Sequence, residues 1–160
     1  MNEQIIAKLR AFSPGSVLAT NDFRGDLTVT VPGEAIVRIG EFLKNDPELS
    51  FDLLVDVCGV DMYRPEGRFE VVYNLFSIKN KKQLRLKVIV EEQDPSVPTV
   101  SGVWPSANWY ERETFDMFGI KFPGHPDLRR MYLPEDFEYY PLRKDFPLMG
   151  IPDSMPLPRR

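Results

Sequence analysis

Eight of the chain's 15 prolines fall within residues 121–160, where an average composition near 5% would place about two. Proline removes a backbone donor and fixes φ, so neither a long helix nor a central strand can run through that stretch. The sequence is therefore expected to divide into a folded unit, residues 1–118, and an extended C-terminal arm, residues 119–160. The arm does not have the composition of a disordered tail. It keeps six aromatic residues, Phe122, Tyr132, Phe137, Tyr139, Tyr140 and Phe146, and disordered segments are poor in these. A Pro-stiffened chain with aromatic and arginine anchors loses less entropy on ordering, which suits an arm that docks on another protein.

The first 118 residues carry alternating helix and strand periods. Ile5, Leu9 and Phe12 recur at helical spacing until Ser13-Pro14-Gly15 stops them. Residues 17–20 and 27–31 read as strands, the second alternating apolar and polar, with residues 21–25 as the turn between them. Ile36, Ile39, Gly40 and Leu43 form one helical stripe, ended by Asn45 and Pro47. Three strand candidates follow: residues 51–57, residues 69–78, and a run through Leu84, Leu86, Val88 and Val90. The first is apolar on both faces, which predicts a central, doubly covered strand. Short turns at 65–67 and 79–82 favour antiparallel neighbours. The expected class is α+β, a mostly antiparallel sheet with packed helices, followed by the Pro-rich arm.

Composition narrows the chemistry. The chain has one cysteine, Cys58, and one histidine, His125. That leaves no intrachain disulfide and no cysteine or histidine cluster for an iron–sulfur or zinc centre, and carboxylates alone would suit only hard cations, so a cofactor-poor chain is expected. A net charge of −4 argues against broad nucleic-acid binding. The longest apolar run, 53–60, is interrupted by Asp56 and is far shorter than the roughly 18 residues of a membrane span. Residues 1–10 mix charges with apolar residues and lack a signal-peptide core. A soluble protein of a reducing compartment is expected. Gly33 precedes a helix without partner glycines, as a turn or cap residue does. Cys58, in an apolar stretch, reads as an inert core thiol.

From residue 104 the character changes. Ser106 can cap a helix and Gly119 can end it. Placed at about 100° per residue, Arg112, Glu113 and Asp116 gather on one side with Trp109, while Tyr110, Thr114, Phe115, Met117 and Phe118 spread over the other. The plain reading of the first group is a solvated helix face, with Arg112 and Asp116 an i,i+4 pair. Glu111 falls inside the apolar arc, so a buried or interfacial ion pair is expected for it. An acid–base role for Glu111 or Glu113 in a pocket, or a hydrolase using Glu111, Glu113 or His125, is the alternative an enzyme would require. A generic adaptor whose spaced prolines meet Pro-recognition domains fits poorly beside so many ionic residues.

These residues also carry a resemblance. Glu111-Arg112-Glu113, Asp116-Met117-Phe118, His125 and Arg129-Arg130-Met131-Tyr132 look like the signature of the C-type (thirty-kilodalton) subunit of respiratory complex I, the proton-pumping NADH–quinone oxidoreductase. Pro141-Leu142-Arg143-Lys144-Asp145-Phe146-Pro147 is similar to the family's second hallmark. After it, many members continue with an acidic, aromatic stretch, where this chain has the short, Pro-rich residues 149–160. The resemblance implies the α+β fold and a peripheral-arm subunit with no catalytic residue and no cofactor of its own. FMN and the iron–sulfur clusters would lie on other subunits, and the complex would couple electron transfer from NADH to quinone with proton translocation. The implied partners are the large D-type subunit at the quinone site and neighbouring iron–sulfur subunits. The implied location is the cytoplasmic face of a prokaryotic plasma membrane. Glu111, Arg112, Glu113, Asp116 and Leu142 would belong to the structural signature. His125, Arg129, Arg130, Arg143, Lys144 and Asp145 would anchor the arm on the partner through charge-assisted hydrogen bonds. Similar subunits occur in ferredoxin-dependent quinone oxidoreductases and membrane-bound energy-converting hydrogenases, which is the alternative setting.

Overall fold

The computed structural model describes residues 2–150. Helix α1 (Asn2–Phe12) leads into a hairpin of β1 (Ala19–Phe23) and β2 (Asp26–Thr30). A single 3-10 turn (Gly33–Ala35) starts α2 (Ile36–Asn45), and a meander of β3 (Leu53–Asp61), β4 (Phe69–Ser77) and β5 (Lys82–Val90) follows. After an irregular link comes α3 (Ala107–Phe118); beyond it Ile120 and Phe122 still belong to the core and Lys121 bridges to Ser96, so the domain runs past the expected boundary at residue 118.

The five strands form one sheet in the order β1-β2-β5-β4-β3. Three of its four pairings are antiparallel, and β2 and β5 are parallel. The parallel pair arises because β2 leaves the sheet through α2, so the chain returns and closes the meander alongside it. The α+β class expected from the sequence is the one observed.

Side-chain alternation sorts the sheet into two faces. Leu27, Val29, Leu84, Leu86, Val88, Phe69, Val71, Tyr73, Leu75, Leu54 and Val57 point to the covered face. Ile5 and Leu9 of α1, Ile36, Ile39 and Leu43 of α2, and Trp104 of the link complete the same apolar cluster. At Gly40 a Cβ would sit 2.9 Å from the Trp104 ring, so α2 meets the indole closely only because that side chain is missing. The Trp104 indole N–H donates to Phe51 O at 3.1 Å, which settles its polar atom inside the core.

Four local expectations need correction. The first strand runs over Ala19–Phe23, not 17–20. Its hairpin needs just Arg24 and Gly25, both at positive φ (55° and 89°), so Asn21 to Phe23 are free to pair. The run 51–57 is not central: β3 is the sheet's edge strand, and Leu53 and Val55 are exposed on it. The doubly covered strand is β4, where even Glu70 and Val72 on the far face are buried by cross-strand neighbours. Cys58 is exposed rather than a core thiol, because it alternates away from Val57 to the open side of that edge. Ser106 makes no cap; its hydroxyl instead donates to Leu54 O at 3.3 Å, bonding the start of α3 to β3. Gly119 does end α3, in the left-handed conformation at φ 74°.

Candidate interaction surface on helix α3 and the arm

The arm does not leave the domain at Gly119; it folds back across α3. Asp116, fully buried, organises the first turn of this path. Its carboxylate accepts from Arg130 Nη1 at 2.8 Å and from the backbone N–H groups of Met131, Tyr132 and Leu133 at 3.0, 2.7 and 3.2 Å. Burial pushes its pKa up, but the backbone donors and the Arg130 guanidinium outweigh this and hold it below the ordinary carboxylate value. Arg112 bonds the arm from the same helix, donating to Arg129 O at 3.1 Å and Arg130 O at 3.3 Å, with its guanidinium 4.9 Å from the Trp109 ring centroid. The expected solvated face with an Arg112–Asp116 pair is thus replaced. Both residues are buried, and each is bonded to the arm.

His125 lies one step earlier, its side chain wholly enclosed. Nδ1 accepts from the Asp127 N–H at 3.0 Å, so the ring proton resides on Nε2, which donates to Asn108 O at 3.0 Å. That pattern is the neutral imidazole. Glu111 is equally enclosed, with its oxygens bonded to the Thr99 hydroxyl and, at 2.8 Å, to the Val100 N–H. Its nearest potential cation is His125, with Nε2 at 3.9 Å. Burial raises the Glu111 pKa to about 7, against the lowering effect of the Thr99 and Val100 donors. The expected burial of Glu111 is found; a strong ion pair is not, because the histidine is committed to two neutral hydrogen bonds. The Tyr73 hydroxyl is also buried and has no partner among the described residues. Burial, and next the Glu111 charge, push its pKa well up.

A second fastening holds the 141–147 segment. Arg143 Nε donates to Phe118 O at 2.7 Å, and its guanidinium lies 4.5 Å from the Tyr140 ring centroid and 5.1 Å from that of Phe69. Gly119 makes this possible: a Cβ there would come within 2.6 Å of the Tyr140 ring. Beside it, Arg68 binds Asp61 and Asp145, each at 2.9 Å, and also Glu92. Asp61 takes the Lys144 N–H at 2.8 Å as well. Burial opposes ionisation of Asp61, but Arg68 and the backbone donors bring its pKa down to about 2. Sequence reasoning did not single out Arg68, Glu92, Thr99 or Tyr73 for this site. Each lies on a strand or in the loops around the strands, and no local period marks a partner that comes from the far end of the chain.

The charges expected to reach outward therefore work inward. His125, Arg130, Arg143 and Asp145 all bind this chain's own atoms, as does the Lys144 backbone. Arg129 pairs on the surface with Asp127 at 3.0 Å. Glu113 and the Lys144 side chain are exposed. Several large apolar side chains also face outward: Trp109 is 61% exposed, Tyr132 62% and Leu142 56%, with Leu148 and Met149 fully so, among exposed charges at Glu135, Asp136 and Glu138. Glu111 and His125, with no exposed side-chain surface, cannot meet a substrate in this conformation. Among the described residues no helix is long and apolar enough to cross a membrane, and no cluster of three histidine, cysteine or carboxylate side chains is close enough to hold a metal ion. Residues 151–160, which hold most of the atypical 149–160 segment, lie outside the described residues.

Comparison with known proteins yields one consistent group. The family model described as respiratory-chain NADH dehydrogenase, 30 Kd subunit, matches residues 29–152. The C-type subunit of the NADH-quinone oxidoreductase of Roseiflexus sp. (strain RS-1) is 54% identical over 147 residues, covering 92% of this chain and 84% of the relative. Its counterpart in Geobacter sulfurreducens is 49% identical over 156 residues, covering 97% and 94%. Among solved structures, the trypsin-resistant fragment (1-134) of Nqo5 aligns with TM-score 0.65 and 37% identity over 80% of this chain and all of the fragment. A chain of the membrane-bound sulfane sulfur reductase, an archaeal respiratory membrane complex, aligns with TM-score 0.77 and 26% identity over 92% of this chain and 86% of its own.

Proposed function

The chain belongs to the family of the respiratory-chain NADH dehydrogenase 30 kDa subunit, and from that membership we propose that it is a cofactor-free, non-catalytic peripheral-arm subunit of a proton-translocating NADH–quinone oxidoreductase. In this reading it packs against the large D-type subunit that forms the quinone site, at the cytoplasmic face of the membrane. FMN and the iron–sulfur clusters sit on neighbouring chains, and the electron path does not enter this one.

The observation that most supports this is the division of labour in the arm. Arg130, Arg143 and Asp145 are engaged within the chain, which orders the arm before it meets a partner. Trp109, Tyr132, Leu142, Leu148 and Met149 are left outward. Pre-ordering removes much of the entropic cost of docking, and aromatic anchors carry a large share of interface energy. A pre-ordered arm with exposed aromatic and aliphatic anchors is what a scaffold subunit presents.

Affinity purification of the tagged chain from detergent-solubilised membranes tests the reading. The expected eluate contains a large quinone-site subunit and oxidises NADH with quinone reduction. Elution of the chain alone, or turnover of a small substrate by the chain alone, would overturn it. The likeness to the archaeal sulfane sulfur reductase chain supports a second setting, an equivalent subunit in a membrane complex with another electron donor, such as a ferredoxin-dependent oxidoreductase or an energy-converting hydrogenase. An eluate lacking an NADH-oxidising flavoprotein but retaining the quinone-site-like subunit selects that setting.

A further inference from the structure

A groove of about 260 Å3 runs between β3 and α3, lined on the strand side by Asp56, Val57, Cys58 and Gly59 and on the other by Tyr110, Met117 and Leu142. It lies along the β3 edge, which α3 covers only in part, through Ser106 on Leu54 O and Thr114 on Val57 O. The opposite edge, β1, has five residues with Asn21 and Asp22 among them, the short polar form in which proteins leave an edge exposed. β3 has nine, with Leu53 and Val55 exposed to 42% and 43%. An apolar edge of that length invites a covering partner.

The groove also has a sign. Asp56 and Glu113 line it; Asp56 already accepts from Asn74 Nδ2 at 2.7 Å, and Arg85 binds that same Asn74, so Glu113 is the exposed charge the groove offers. The mode of occupancy is constrained as well. Thr114 Oγ1 donates to Val57 O at 3.4 Å and Ser106 Oγ to Leu54 O at 3.3 Å, so α3 already takes part of the edge's hydrogen bonding. An occupant would gain side-chain burial and charge pairing more than a full strand ladder. A second copy is disfavoured, since a two-fold contact would set the two acidic grooves against each other. Leu142, 56% exposed, lines the groove from the arm.

We propose that this groove seats a segment of a partner polypeptide that buries apolar side chains against Tyr110, Met117 and Leu142 and carries a lysine or arginine that pairs with Glu113. The proposal rests on the assembly reading above and names a contact within it.

Cys58, exposed in the groove, supplies the test. Alkylation by N-ethylmaleimide, followed by mass spectrometry, compares the native membrane-extracted assembly with the purified full chain. Cys58 is expected to react at least tenfold more slowly in the assembly. Equal rates in an assembly that still contains the chain would overturn the proposal and leave the assembly reading standing, whereas a chain that extracts alone defeats that reading instead. Photocrosslinking from p-benzoylphenylalanine placed at Val55, in the assembly, needs no isolated chain. The expected product is a peptide of another subunit containing lysine or arginine. A crosslink to a second copy, or to a peptide without a basic residue, rejects the proposal. Glu113→Lys should lower co-purification at least fivefold and restore Cys58 alkylation; unchanged co-purification with Cys58 still protected would rule out the charge pairing.

Discussion

Arg130 reaches back 14 residues to place its Nη1 2.8 Å from the carboxylate of Asp116, and the same carboxylate collects the backbone N–H groups of the next three residues. One buried side chain thus fixes both where the arm turns and how its backbone runs across α3.

Asp116→Asn removes the charge and leaves a single carbonyl acceptor where four donors converge. The Arg130 side chain is only 10% exposed, so its charge loses its counterion in a poorly hydrated place. A loss of about 3 kcal/mol in unfolding free energy is expected, equivalent to a fall in Tm of about 10 °C for a chain of this size. Thermal denaturation measures the first effect. Limited proteolysis measures the second, with new cleavage between residues 119 and 133; a variant as resistant as the parent would show that Asp116 does not hold the arm.

Arg68 and Asp145 form a pair whose two ends differ in worth. Arg68 is buried and also neutralises Asp61, whereas the Asp145 side chain is 47% exposed. Arg68→Met leaves Asp61 enclosed without its cation and should cost about 3–5 kcal/mol. Asp145→Asn removes a partly hydrated partner and should cost less than about 1 kcal/mol. Urea unfolding of both variants gives the comparison, and equal losses would contradict the assignment of Asp61 as the principal partner.

Glu111 makes stability depend on pH in the opposite direction to Asp61 and Asp116. A carboxyl whose folded pKa is raised binds its proton more tightly in the native state. Its contribution is then greatest below the unfolded value, near 4.5, and is lost as pH rises to about 7. Over that window the loss amounts to about 3 kcal/mol. Asp61, lowered to about 2, contributes fully above about pH 4 and loses its contribution as pH falls through 2. Glu111→Gln keeps an acceptor for the Val100 N–H and removes the titration. Its unfolding free energy should exceed the parent's by about 2–3 kcal/mol at pH 8 and match it near pH 4. A difference independent of pH would show that Glu111 does not titrate in this window.

The order of elements and much of the core were readable because they rest on local periodicity. Leu27 to Val31, the stripe from Ile36 to Leu43 and the alternation through Leu84 to Val90 each signal an element without reference to the rest of the chain. The place of β3 differs because a run that is apolar on both faces describes an edge strand with a helix packed on it as well as a central strand. Within the site, the residue types were readable and their partners were not. Arg112 and Asp116 sit on the polar side of an isolated helix and become buried only when residues 129–133 close over them. A helical wheel counts no contribution from a segment that returns from beyond its end. Gly119 was visible as a stop signal, yet its second task, giving the Tyr140 ring a seat, depends on the returning arm in the same way.

That return separates two kinds of residue in the signature, and the separation can be tested directly. Asp116, Arg130 and Arg143 hold the arm to its own domain, while Leu142 faces outward, as does Trp109, which lies outside the signature. Trp109→Ala and Leu142→Asp should therefore leave folding nearly intact, within about 1 kcal/mol by urea unfolding, because neither side chain is enclosed. If this face is an interface centre, each substitution removes an anchor worth about 2 kcal/mol or more, a loss of about 30-fold in affinity. Co-purification from membranes should fall accordingly, with the unassembled chain remaining folded in the soluble fraction. Arg130→Ala should show the reverse order, with stability lost first and assembly lost in consequence. Full assembly of Leu142→Asp, with normal quinone reductase activity, would remove the arm's outer face from the interface and leave its inward fastening as its whole role.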